Sequence, residues 1–384
     1  MTLSEPPHTA STDAATLATR RLDAARHLLK PHQVRESLAI AAQPWQRNAV
    51  LAGLQASLAA AIALPLALLS PWPHLVGFAS LGTLAALFGR FAPQAGRGRI
   101  VLICAVWLTF AVLAMSTAAW LGASYPVQLG LLALACGLFF FVTNTGQYGP
   151  PGALIFVFAA GAAMGHVASW QEVVERATAT ALAAGLTWLI CVGTETFRQQ
   201  ETPEAPFPVE PVRPLDHRLV AAARITLGSA LAAFAAYAAG AAHPGWAAMG
   251  TVAVMQGTHL HISMSRAMQR MSGTVVGAGL VWLILSQEPS VWSVVALLIF
   301  LQFATEMIIG ANYALGQILV TPMALLMSYL AAPGAAGTAM APERVFDTLV
   351  GAIIGIVLAV VCSTVDDRIY LAHHHAARAD RRSR

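Results

Sequence analysis

The stretch NAVLAGLQASLAAAIALPLALL, residues 48–69, decides the class of this protein. It runs for 22 residues without a charged side chain. About 20 such residues in a helix cross the roughly 30 Å hydrocarbon core of a bilayer. Working outward, comparable apolar runs predict spans near 75–89, 100–121, 127–143, 152–169 and 174–193. Six more follow near 219–240, 245–261, 269–286, 291–308, 312–331 and 345–364. Breakers separate them: Ser70-Pro71-Trp72-Pro73, Gly96-Arg97-Gly98, Gly149-Pro150-Pro151, Pro203 to Pro214, His243-Pro244-Gly245 and Pro333-Gly334. Only Gly310-Ala311-Asn312 divides spans ten and eleven. The expected fold is all-α, a polytopic membrane protein of about twelve transmembrane helices.

Composition agrees. Of 384 residues, 57% are hydrophobic and 10% charged, where a soluble domain carries roughly 25% charge. So few charges neither keep a chain disordered nor coat a soluble enzyme of this size. The net charge of +4 is spread over tails and loops, with no basic run interleaved with aromatics, which excludes a nucleic-acid partner. Cys104, Cys136, Cys191 and Cys362 all fall in apolar runs. There they read as small hydrophobes, with no disulfide, metal site or cofactor expected. No Ser/His/Asp set or phosphate-binding glycine loop is present, so an enzyme is not expected. Residues 1–47 are polar and show no secretory leader. Leu17 to Leu38 carry a modest amphipathic pattern suited to a membrane surface or to a solvated helix, and His373, His374 and His375 read as a solvated tail.

Charge asymmetry orients the chain. Basic residues crowd the N-terminal tail, the loop after span two (Arg90, Arg97, Arg99), the central linker (Arg198, Arg213, Arg218), the loop after span eight (Arg266, Arg270) and the C-terminal tail. Only Arg176 and Arg344 fall on the opposite side, and Arg224 lies within span seven. Both termini are therefore expected in the cytoplasm of a cell with the chain in its inner (plasma) membrane.

The two halves share a register. Arg47 and Arg218, Pro73 and Pro244, Arg99 and Arg270, and Pro151 and Pro322 each stand 171 residues apart. Glu175-Arg176 matches Glu343-Arg344, and Thr180 matches Thr348, at 168. Six spans per half keep both copies in one orientation, a parallel repeat about an axis along the membrane normal, with a path expected between the halves. The divisions expected are a tail (1–47), a first six-helix repeat (48–193), a Pro/Glu-rich linker (194–217), a second repeat (218–365) and a basic tail (366–384).

An ionisable residue inside a span marks a path or a snorkelling anchor, because its burial costs on the order of 2.5–3.5 kcal/mol on insertion scales. Arg270, Gly273, Thr274 and Gly277 share one helical face, with the guanidinium expected at the cytoplasmic mouth and the small residues admitting a neighbouring helix. Arg344, Asp347 and Thr348 share another, where the aspartate is placed to pair with the arginine. Arg176 and Arg344, one per half, would make a ring attracting anions or, alternatively, interfacial ion pairs with Glu175 and Glu343. Arg224 lies in span seven, and Gln256 and His259 face together at the end of span eight. His259 serves either proton coupling or packing. Glu306 is the carboxylate well inside an apolar run, a proton carrier or a counter-ion to Arg224 or Arg270. Trp246, Trp282, Phe300, Phe303 and Tyr313 offer rings for stacking on an aryl group or ordinary bulk. The excess of positive charge suits a small organic anion.

His243-Pro244-Gly245-Trp246-Ala247-Ala248, Gln256, Arg270-Met-Ser-Gly-Thr-Val-Val-Gly and Arg344-Val-Phe-Asp-Thr-Leu-Val-Gly together make the segment from about His217 to Arg368 resemble the fusaric acid resistance-like transporters. The resemblance implies proton-driven export of organic anions, aromatic carboxylic acids above all. From the residues themselves, Arg270, Arg344, Arg176, Arg224, Thr274, Thr348 and Gln256 are the candidates for holding the substrate, and Glu306, Asp347 or His259 for handling protons or balancing charge. It also implies a periplasmic adaptor protein as a partner and allows a homo-oligomer. The sizeable cytosolic domain that many larger members carry between their halves is replaced by the short linker from Thr194 to Asp216. A passive anion channel and a non-transporting scaffold are the rival readings.

Overall fold

A computed structural model describes residues 46–202, 206–207, 212–257, 260–331 and 337–363, the side chains of 94, 95, 260 and 261 excepted. The amphipathic segment from Leu17 to Leu38, His259 and the tail histidines lie outside the described residues. Among these, the regular structure is helical. The helices are α1 (Gln46–Leu69), α2 (Val76–Thr83), α3 (Gln94–Trp120), α4 (Tyr125–Gly146), α5 (Leu154–Ala162) and α6 (Trp170–Gly193). After the linker come α7 (Leu215–Ala238), α8 (Gly245–Met255), α9 (Leu260–Leu285), α10 (Val291–Ile308), α11 (Tyr313–Ala331) and α12 (Met340–Val361). Short 3₁₀ turns flank α2, extending it to Pro73–Leu87.

Nine of the described helices are long and apolar enough to cross a membrane. The other three, α2 with its flanking turns, α5 and α8, are shorter, and α5 and α8 end well before the spans expected at those positions. Hydropathy counts apolar residues whatever their backbone does, and here the apolar runs include turns. The chain after α4 passes through Gln147 (φ 50°), Gly149 (φ 74°) and Gly152 (φ 72°), with a cis Pro150–Pro151 bond between. After Leu87 it turns at Gly89 (φ 70°). Conversely α9 starts at Leu260, well before the expected 269. Met264 and Met268 hold that early stretch against Ile356, Ala359 and Val360 of α12, so Arg266 and Arg270 stand on a helix rather than in a loop.

Within the first half α3 and α2 pack on α6, α5 on α3, and α1 on α2 and α6. In the second half α9 and α8 pack on α12, α11 on α9, and α7 on α8 and α12. Across the halves α1 packs on α10, α7 on α4, α2 on α11 and α8 on α5. Glycine makes several of these approaches possible, as small residues do between membrane helices. A Cβ on Gly351 of α12 would lie 2.2 Å from the Ala247 carbonyl oxygen of α8, and one on Gly273 of α9 would lie 2.6 Å from the Ala314 oxygen of α11. Leu54, Leu58, Val106, Leu182, Leu227 and Phe300 point away from the bundle, the outward apolar face of a membrane protein.

Candidate functional site

A cavity of about 900 Å³ lies between the halves. Helical spacing brings its polar lining together: Arg218 and Arg224 on α7, Ser263, Arg266 and Arg270 on α9, Gln302, Thr305 and Glu306 on α10, Tyr313 and Gln317 on α11. Arg344 of α12, and Arg90 and Arg213 from connecting segments, complete seven arginines against one lining carboxylate, Glu306. Gly273 and Gly277 press α9 onto α11, which sets Arg270 toward the open space. The turns at Gly89–Ala92, Gln147–Gly152 and Gln256–Gly257 also line the cavity. Non-helical backbone is tolerated at membrane depth where it is buried in protein or borders water, so these breaks belong with the cavity.

The cavity is exposed at the end where α7 begins and α12 finishes, marked by Arg213, His217 and Cys362. It reaches Arg344, about 27 Å away along α12 at 1.5 Å per residue. Beyond Arg344 the halves close. A Cβ on Gly77 of α2 would meet the Ala331 backbone of α11 at 2.4 Å, and one on Gly245 of α8 would meet Leu132 of α4 at 3.0 Å.

Arg270 is 3% exposed and sits near the middle of α12 in height, since its neighbours Ala267 and Met271 pack with Ala352 and Ile356. It is thus deep in the cavity, not at the mouth as the sequence suggested. The Arg344 guanidinium lies 5.0 Å over the Trp246 ring, which stacks at 4.4 Å on His243. His243 Nδ1 lies 2.6 Å from Glu343 Oε2. Glu343 therefore serves the histidine rather than Arg344, and Arg176 takes Glu172, not Glu175, at 2.5 Å. Arg270 and Asp347 both lie within electrostatic range of Arg344. No direct ion pair joins Arg344 and Asp347 among the described residues: Asp347 is fully buried with both oxygens unpartnered, as are Thr274 Oγ1, Thr348 Oγ1, Arg270 Nε, and Nε and Nη1 of Arg344. Glu306 pairs with Arg90, not with Arg224 or Arg270. Gln302 Nε2 donates to Thr83 Oγ1 at 3.0 Å, tying α10 to α2.

Of the residues expected from sequence, Arg270, Arg344, Arg224, Gln256 and Glu306 line the cavity. Thr274, Thr348 and Asp347 are buried without lining it. Arg176 does not line it; it sits 5.0 Å over the Phe78 ring, and Thr180 donates to the Arg176 and Phe78 carbonyls. Trp282 and Phe300 face outward, Phe303 packs at Gly53 of α1, Trp246 is engaged by His243 and Arg344, and Tyr313 lines the cavity. Sequence reasoning missed Arg90, Arg213, Arg218 and Arg266 as cavity residues by counting them as loop and linker charge; of these, Arg218 and Arg266 stand on helices. The four-residue spacing of Arg266 and Arg270 was the available signal.

Residues 231–358 match the family model of fusaric acid resistance protein-like domains. The chain is 35% identical over 121 residues to the uncharacterized membrane protein YvaC of Bacillus subtilis (strain 168), an alignment covering 32% of this chain and 19% of that protein. The chain thus spans about a fifth of the length of the curated relative it matches. No solved structure matches it. The matched segment runs from α7 to near the end of α12 and holds Arg270, Arg344 and Glu306: the second half of this multi-pass membrane protein is similar to fusaric acid resistance protein-like domains.

Proposed function

We propose that the chain is an inner-membrane secondary transporter that exports organic anions, aromatic carboxylic acids among them, with its termini and the open end of the cavity at the cytoplasm. One observation carries this reading: seven arginines and a single carboxylate line a deep cavity that is exposed at one end and closed by helix contacts at the other. A cation or a neutral sugar gains nothing from such a wall. A carboxylate gains charge-assisted hydrogen bonds from guanidiniums in a low-dielectric setting.

Arg224 and Arg266 steer the anion inward, Arg270 and Arg344 bind it at the closed end, and Gln256 donates from the side. Tyr313 supplies an aromatic face. Asp347, behind the arginines, carries the coupled proton, with Thr274 and Thr348 beside it on their helices as polar partners. Arg176 is an anchor of the first half. Glu306 balances Arg90. The packing pairs support two parallel six-helix repeats: the α3–α6, α2–α6, α3–α5, α1–α2 and α1–α6 contacts of the first half each have a counterpart six helices later, and the cross-contacts α1–α10 and α7–α4, α2–α11 and α8–α5, are reciprocal. The closed end favours a carrier over a passive channel.

The test is flux of labelled p-hydroxybenzoate into proteoliposomes at clamped voltage, with and without a pH gradient. Accumulation that follows the pH gradient and vanishes in Arg270→Gln is expected. Asp347→Asn is expected to leave exchange intact while abolishing the response to the pH gradient. Equilibration indifferent to that gradient in the unaltered chain would replace the carrier with a channel, and absence of flux would remove aryl carboxylates from the substrate set.

A further inference from the structure

On the outside of the bundle, away from the central cavity, a second concave groove of about 400 Å³ runs between α1 and the end of α6. Its floor and sides are Val50, Leu51, Leu54 and Leu58 of α1 with Ile190 of α6. The rim carries Arg47 and Phe197, both exposed. From Arg47 to Leu58 the groove follows α1 for about 16 Å at 1.5 Å per residue, the scale of an acyl chain. The order along it is one cation, then aliphatic wall.

The groove is held open by polar staples, not by its apolar lining. Asn48 Nδ2 donates to the Gln199 carbonyl at 3.0 Å, and the Gln199 N–H donates back to Asn48 Oδ1 at 2.8 Å. Gln55 Nε2 donates to Thr194 Oγ1 at 2.6 Å, while Gln55 Oε1 accepts from Arg97 Nη2 at 2.5 Å. Glu195 is clamped between Arg97 at 3.2 Å and Arg198 at 2.7 Å. These contacts fix the linker turn against the start of α1, so the far wall is preformed. They also decide the sign of the field. Two arginines against one glutamate leave this cluster positive, Arg47 adds a further charge, and Arg47 has no polar partner among the described residues. No carboxylate lines the groove itself.

We propose that this groove binds an anionic phospholipid, its phosphodiester at Arg47 and one acyl chain along Leu51, Leu54 and Leu58. The basic end is the one that the arginine distribution assigns to the cytoplasm, where anionic lipids concentrate and each nearby basic residue strengthens their attraction about fivefold. A zwitterionic lipid fits the apolar wall equally well but carries no net charge to satisfy the rim. Bound there, the lipid wedges α1 against α6 and the linker, independently of what the central cavity carries.

Native mass spectrometry of the full chain in neutral detergent tests this, with phosphatidylglycerol and phosphatidylcholine titrated separately. The unaltered chain is expected to retain phosphatidylglycerol at least fivefold more tightly. Arg47→Gln should erase that preference at this site without changing phosphatidylcholine retention, and Arg47→Lys should keep it. Leu54→Trp, which fills the groove, should weaken both lipids. Equal retention of the two lipids by the unaltered chain overturns the proposal. So does a phosphatidylglycerol preference that survives Arg47→Gln unchanged, since that places the lipid elsewhere on the basic surface. Retention unaffected by Leu54→Trp overturns the acyl-chain position.

Discussion

The start of α6 and the start of α12 occupy matching sequence positions and have become different things. In α6, Arg176 has Glu172 at 2.5 Å and the Phe78 ring at 5.0 Å, and Thr180 donates to two carbonyls. In α12, Arg344 faces the cavity with two of its nitrogens unpartnered, and neither Asp347 nor the Thr348 hydroxyl has a hydrogen-bond partner. A buried polar group left unmatched costs about 1–3 kcal/mol. At this position the first half satisfies its arginine and its threonine. The second half keeps the mismatch, as sites that bind something do.

The sharpest way to break this contrast is to remove each arginine. Arg344→Gln is expected to lower anion flux at least a hundredfold with insertion intact, and Arg176→Gln to change it less than about twofold, since an i,i+4 ion pair contributes only about 0.3–0.5 kcal/mol. Equal losses in the proteoliposome assay would end the distinction. Next in size is packing. A Cβ at Gly351 would sit 2.2 Å from the Ala247 oxygen, whereas nothing lies within 4 Å of one at Gly185 in α6. Gly351→Ala should destabilise by about 1–3 kcal/mol, the cost of overpacking, and Gly185→Ala should not. Thermal unfolding in detergent reads both.

Smaller effects sharpen the comparison. Glu306→Gln strands Arg90, so a double variant with Arg90→Gln should be more stable than the sum of its parts by about 0.5–3 kcal/mol. Additive melting shifts would show that the pair is not coupled. Smallest is the threonine pair. Thr180→Val forfeits one hydroxyl donor shared between two carbonyls and should cost about 1 kcal/mol, whereas Thr348→Val should be near neutral in stability while impairing flux.

Much of the fold was legible because hydropathy and breakers act locally. Nine of the twelve expected spans are helices long enough to cross a membrane and the other three are shorter helices, and the Gly310-Ala311-Asn312 turn falls where α10 gives way to α11, with Asn312 Oδ1 accepting from the Ala314 and Leu315 N–H groups. What could not be read was where an apolar run stops being helical. Gln256 looks like a span residue until the cavity beside it is seen. Site residues divided the same way. Arg270 and Arg344 stood out by helical spacing, but the partner of Glu306 is more than 200 residues away in sequence, on a segment whose position depends on how the two halves dock. Charge counting misplaced Arg218 and Arg266, which stand on helices, and overlooked that Arg90 faces a cavity, because it treats an arginine near a span end as water-facing when a polar cavity can receive it instead.

The seven-arginine wall has a consequence for the solution around it. At physiological ionic strength the screening length is about 8 Å, comparable with the radius of the cavity, so its potential is neutralised by small mobile anions that enter from the bath. On the proposed function, chloride would be the standing occupant and a substrate would arrive by exchange for it. Apparent affinity should therefore fall as chloride replaces a bulky anion such as gluconate at constant ionic strength. Part of the free energy of uptake into the site is then the entropy of the ions released.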